Sequence, residues 1–145
     1  SIYIDVNMAD ITEDIVTMID ANWNTDNTAK PGVLGENREF LNVHVGDNRA
    51  LLVSELNNNQ IKLGPFYKHK RKEASMRVEL RTKTSDDMKT LRDECVRVLE
   101  SKRTVPITGW SILKIESDEN TDWKFANLFS RTLTIKLIRY AEALA

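Results

Sequence analysis

With 145 residues and 41% hydrophobic side chains, the chain has the size and apolar content of one domain around one core. Its 21 basic and 22 acidic residues nearly cancel to a formal charge of −1, which argues against a dedicated nucleic-acid binder, whose affinity rests on an excess of Lys and Arg facing phosphates. No apolar run approaches the roughly 20 residues of a membrane-spanning helix, and the first residues lack the basic and apolar regions of a signal peptide. Cys95 is the one cysteine, so no internal disulfide forms and a reducing compartment is expected.

Ile2, Ile4 and Val6 alternate with other residues and read as an extended arm over residues 1–8. Asp10 and Glu13 have the spacing of a capping box, and Ile11, Ile15, Ile19 and Trp23 then recur every four residues, so residues 10–23 are expected to form an amphipathic helix. Residues 24–35 carry Asn, Asp, Pro31-Gly32 and Gly35 without periodicity and read as an exposed connection. Leu41, Val43 and Val45 alternate with Asn42 and His44 as in a half-buried strand, Gly46-Asp47-Asn48 offers a turn, and residues 49–56 read as the returning strand. Asn57-Asn58-Asn59-Gln60 reads as a loop.

Lys68, His69, Lys70, Arg71 and Lys72 form the one concentrated cationic run, expected as a solvated loop beside Phe66 and Tyr67. Met76, Val78, Leu80 and Thr82 alternate with Arg77, Glu79, Arg81 and Lys83, which predicts a strand with one wet, charged face. Ser85 is placed to cap the next helix, with Asp86 and Asp87 at its start, Lys102 and Arg103 at its end, and a buried stripe of Met88, Leu91, Cys95, Val98 and Leu99. Glu94 reads as a residue whose replacement by alanine is nearly silent. Trp110, Ile112, Leu113 and Ile115 restart a strand, residues 117–122 read as a polar turn, and Phe129, Leu133, Ile135 and Leu137 alternate in a long last strand. The order of elements fits an α+β fold, a mostly antiparallel sheet with two main helices packed on one face.

No constellation for chemistry emerges. Cys95 falls on an apolar stripe and reads as a core thiol. His44 and His69 have no companions at metal-ligand spacing. Asp118, Glu119 and Asp122 lack the loop that calcium requires, and the scattered glycines do not cradle phosphate. No catalytic residue, cofactor or metal is expected. The residues left for an interface are Lys68, Lys70, Arg71, Lys72, Asp118, Glu119, Asp122, Trp123 and Phe125: the basic run faces an acidic turn on a neighbour, and Trp123 and Phe125 supply apolar anchors beside it. Reversing Lys70, Arg71 and Lys72 to Glu is then expected to block assembly and spare the fold.

Residues 66–140 resemble the tail terminator, or tail completion, proteins of tailed phages and related viruses. The likeness is carried by the basic segment leading into Met76-Arg77-Val78-Glu79-Leu80-Arg81-Thr82, by the capped helix with Leu91-Arg92-Asp93-Glu94-Cys95-Val96-Arg97, by Gly109-Trp110-Ser111-Ile112, by the polar segment 118–123, and by Arg131-Thr132-Leu133-Thr134-Ile135-Lys136-Leu137-Ile138. The resemblance implies a virion subunit without enzymatic activity, made in the host cytoplasm and not secreted. Its partners would be its own copies in a ring, a hexamer being one such size, the tail tube protein, and a neck or head-completion protein. Membranes and specific nucleic acids are not among them. Two alternatives stand beside it, a head-completion or neck component and a regulatory nucleic-acid-binding module using residues 68–72.

Overall fold

The computed structural model describes residues 11–34, 49–62, 69–121 and 129–142. They form helices α1 (Ile11–Asn22) and α2 (Ser85–Ser101) and strands β1 (Gly32–Leu34), β2 (Arg49–Lys62), β3 (His69–Thr82), β4 (Ile112–Asn120) and β5 (Phe129–Glu142). The strands make one sheet in the order β1-β2-β3-β5-β4. All neighbours are antiparallel except β1, which runs parallel to β2. This is the expected α+β fold with both helices on one face. The arm 1–8, the strand at 41–45, the turn after it, and Gly64-Pro65-Phe66-Tyr67 lie outside the described residues.

The apolar alternations set the register. Val53 lies opposite Val78 and Val78 opposite Leu133, while Met76, Ile135 and Ile115 form the next row. Ala74, Leu137 and Leu113 follow in the same way. Ile15, Ile19 and Trp23 at α1 and Leu91, Cys95, Val98 and Leu99 on α2 pack onto these rows in one core. Burying such side chains stabilises the fold by about 1.5–3 kcal/mol each before conformational entropy is charged against them.

Several elements depart from the pattern in the sequence. β1 occupies part of the segment expected as a connection, because three residues paired to β2 need no period of their own. β2 continues through Asn57-Asn58-Asn59-Gln60, where its backbone pairs with residues 72–75 of β3; ladder hydrogen bonds do not require apolar side chains. α2 is capped by Thr84, whose hydroxyl accepts from the Asp87 N–H at 3.2 Å, and not by Ser85. It ends at Ser101, so Lys102 is the C-cap and the two cations lie beyond the last turn. The wet face expected for β3 is not wet at its end: Glu79 and Arg81 are 6% and 1% exposed and pair with each other at 2.5 Å. β3 is the middle strand, and these two residues lie opposite Leu52 and Thr132 and opposite Ala50 and Ser130. Alternation therefore reported which residues share a face, not how much water reaches it.

Past α2 the chain turns through Val105 and Gly109, both at positive φ (47° and 90°). Arg139 from β5 lies over the Trp110 ring, 5.9 Å from its centroid, and closes this end of the sheet.

Candidate functional site

Three charge clusters tie the elements together. The first is centred on Glu94, which lies in the apolar stripe of α2 between Leu91 and Val98 and has a side chain only 1% exposed. Its carboxylate accepts hydrogen bonds from the Asn24 backbone N–H (2.8 Å), Asn27 Nδ2 (2.7 Å), and Arg97 Nε and Nη2 (2.7 and 2.6 Å). Arg97 Nη2 also donates to the Asn22 carbonyl at 2.8 Å, so one ion pair fastens the end of α1 to α2. The Arg97 guanidinium, then Asn27 and Asn24, hold the Glu94 carboxyl down to about 2. The reading of Glu94 as dispensable is corrected: an acid is buried only where it is paired. Its spacing from Leu91 and Val98 was the signal that could have found it.

The second cluster lies on the sheet face away from the helices. Arg71 Nη2 contacts Glu73 Oε1 at 3.2 Å, Lys136 Nζ contacts the same oxygen at 3.1 Å, and Lys136 also reaches Glu116 Oε1 at 3.0 Å. Three strands are linked by these contacts. The Lys136 ammonium, then Arg71, lowers the Glu73 carboxyl below its ordinary value, and Glu116 with Glu73 raises Lys136.

The third cluster joins α2 to the sheet at the β4–β5 edge. Asp118 Oδ2 accepts from Arg92 Nε at 2.9 Å and Nη2 at 2.8 Å, and Asp118 Oδ1 accepts from Arg131 Nε. Arg92 Nη1 donates to Asp93 at 3.0 Å. Hydrogen bonds to Asp93 and then Asp118 raise the Arg92 pKa. A cavity of ≈ 450 Å³ opens beside this triad. Its wall includes Lys89, Arg92 and Arg131 together with Met88 and Phe129. Arg131 shares its parity with Leu133, Ile135 and Leu137, which put it on the helix side of the sheet and was visible in the sequence.

The structure scatters the expected interface residues. Lys68, Asp122, Trp123 and Phe125 lie outside the described residues. Lys70, Arg71 and Lys72 are in β3 and not in a loop, a correction with a simple cause. Successive residues of a strand project to opposite faces, so Arg71 and Lys72 are parted, and Glu73, two residues on from Arg71 and on its face, supplies that arginine's counter-charge. Glu at position 71 would put a second carboxylate beside Glu73 in the middle strand, so the triple reversal removes an ion pair within the sheet as well as any contact with a neighbour. Asp118 and Glu119 are likewise in β4 and not in a turn. A bulge between Ile115 and Ser117 shifts the parity and carries Asp118 to the helix side, where Arg92 and Arg131 engage it within the chain. Glu119 is exposed, opposite Thr132.

Cys95 is fully buried, and burial, reinforced by the charges of Glu94 and Asp118, pushes its thiol up to about 12. Among the described residues no three His, Cys, Asp or Glu side chains gather where they would hold a metal ion, and no helix is long and apolar enough to cross a membrane.

Neither a family model nor a curated protein matches the chain.

Proposed function

We propose that this chain is a structural virion subunit of the tail terminator or completion type, acting by contact with its own copies and with tail tube protein and joining the tail to the neck. The observation that carries this reading is the use made of the ionisable groups. Glu73, Glu94 and Asp118 each face cations from their own or neighbouring elements and serve as fasteners, not as reagents poised in a cleft. The α+β architecture, a sheet backed by helices on one face, agrees with the subunit that the resemblance implies. Against the nucleic-acid alternative, Arg71 of the basic run is engaged by Glu73 within the sheet, and the charge of the whole chain is −1.

Size-exclusion chromatography with light scattering, followed by negative-stain imaging with tail tube protein, tests the reading. Rings that sit on tube ends are expected. A chain that stays monomeric and never joins a tube refutes the proposal. Rings that bind a neck component and ignore the tube move the protein to head completion. Binding to random duplex that weakens steeply with salt favours the regulatory alternative.

A further inference from the structure

The cavity beside α2 has an unequal share of charge. Lys89, Arg92 and Arg131 line it against one acid, Asp93. Arg92 is committed, with Nε and Nη2 on Asp118 and Nη1 on Asp93. Arg131 commits only Nε. Among the described residues its two Nη groups and the Lys89 ammonium have no partner. Asp118 is 19% exposed and grips Arg131 from the Nε side, so the guanidinium plane is held and the outer pair of Nη donors is left for a ligand. Two parallel N–H groups in one plane match a carboxylate. Met88 and the 37% exposed Phe129 give the same cavity an apolar wall.

We infer that this cavity receives the carboxylate of an acidic side chain on a partner polypeptide, clamped by Arg131 with Lys89, while Met88 and Phe129 pack a neighbouring apolar side chain of that partner. Charge selects the class. Asp93 in the wall and Asp86 and Asp87 in the first turn of α2 repel a polyanion such as a nucleic-acid backbone, but they tolerate a single carboxylate in a segment of mixed charge. Asp118 is a positioning residue, acting through Arg131. The inference stands apart from the ring assembly proposed above, because a lone subunit already contains every residue of the clamp.

The test uses the full chain with an acetylated, amidated Glu-Leu dipeptide as the probe and its Gln-Leu counterpart as control, followed by NMR. The Glu peptide is expected to give saturable shifts of the Arg131 Nε–H and of the Lys89 and Phe129 amides, and the Gln peptide is not. Lys89→Gln changes an exposed residue and is expected to weaken the Glu peptide about tenfold, the loss of one charge-assisted contact. Phe129→Ala is the second variant, expected to weaken the Glu peptide without restoring binding of the Gln peptide. The inference is overturned if the Glu peptide gives no saturable shift, if the Gln peptide binds equally, if both variants bind like the parent, or if inorganic phosphate or duplex displaces the Glu peptide from these resonances at equal concentration. Ring formation is read in neither arm, so a failure here leaves the assembly proposal to its own experiment.

Discussion

Replacing Glu94 by alanine removes four hydrogen bonds at once and leaves the segment after α1 without its anchor on α2. The magnitude follows from the carboxyl itself, which is held at about 2 against an ordinary 4.5. That gap corresponds to ~3 kcal/mol of preference for the ionised form in the folded state. Asn24, Asn27 and Arg97 are exposed enough to rehydrate, so the expected loss at about pH 7 is ~2–3 kcal/mol and not the larger cost of a stranded buried charge. The sign of the pH dependence is fixed by the same gap. A carboxyl whose folded pKa is depressed contributes fully above its unfolded value, and the contribution is lost as pH falls from about 4.5 toward about 2. The difference between parent and Glu94→Ala therefore shrinks by more than half on going to about pH 3. Urea unfolding followed by tryptophan fluorescence at several pH values measures it. A variant within about 0.5 kcal/mol of the parent at neutral pH, or a difference that is constant across the acid range, would refute the account of Glu94 as the fastener.

Leu91→Asp sets a charge among Cys95, Val98 and the sheet and is expected to cost about 4 kcal/mol or more, so that much of the chain unfolds in a thermal melt; an unchanged melt would mean that the wrong face of α2 is packed. The Cys95 thiol, held near 12, should resist disulfide reagents in the native protein and react once urea unfolds it, while Cys95→Ala costs about 1 kcal/mol; immediate native labelling contradicts its burial. Asp118→Asn releases Arg92 and Arg131 and, the arginines being about one-third exposed, is expected to cost only ~1 kcal/mol, less at high salt. Equal unfolding midpoints for parent and Asp118→Asn at low salt would remove the triad from the stability of the β4–β5 edge.

Much of the secondary structure was legible because periodicity is local. The stripe of Ile11, Ile15 and Ile19 and that of Leu91, Cys95 and Val98 place two helices, and the alternations at residues 76–82 and 133–137 place the strands that become β3 and β5. Where the sequence misled, the missing information was the identity of the neighbour. The asparagines at 57–59 extend β2 because β3 runs beside them, and residues 70–72 lie in a strand paired to β2 and β5, where Arg71 and Lys72 fall on opposite faces and Glu73 pairs with Arg71. Asp118 was placed in a turn because a bulge broke the two-residue period that would have continued β4.

The sequence by itself determined the α+β class and which side is apolar in the two helices, in β3 and in β5, since a side chain's direction follows from its position along its own element. Only the tertiary structure decided the strand order β1-β2-β3-β5-β4, the burial of Glu79 and Arg81, and the partners of Glu94, Asp118 and Arg131. A charge is buried or exposed according to what lies opposite, and contacts such as Asn27 to Glu94 or Arg92 to Asp118 join residues far apart in the chain, where no local pattern records them.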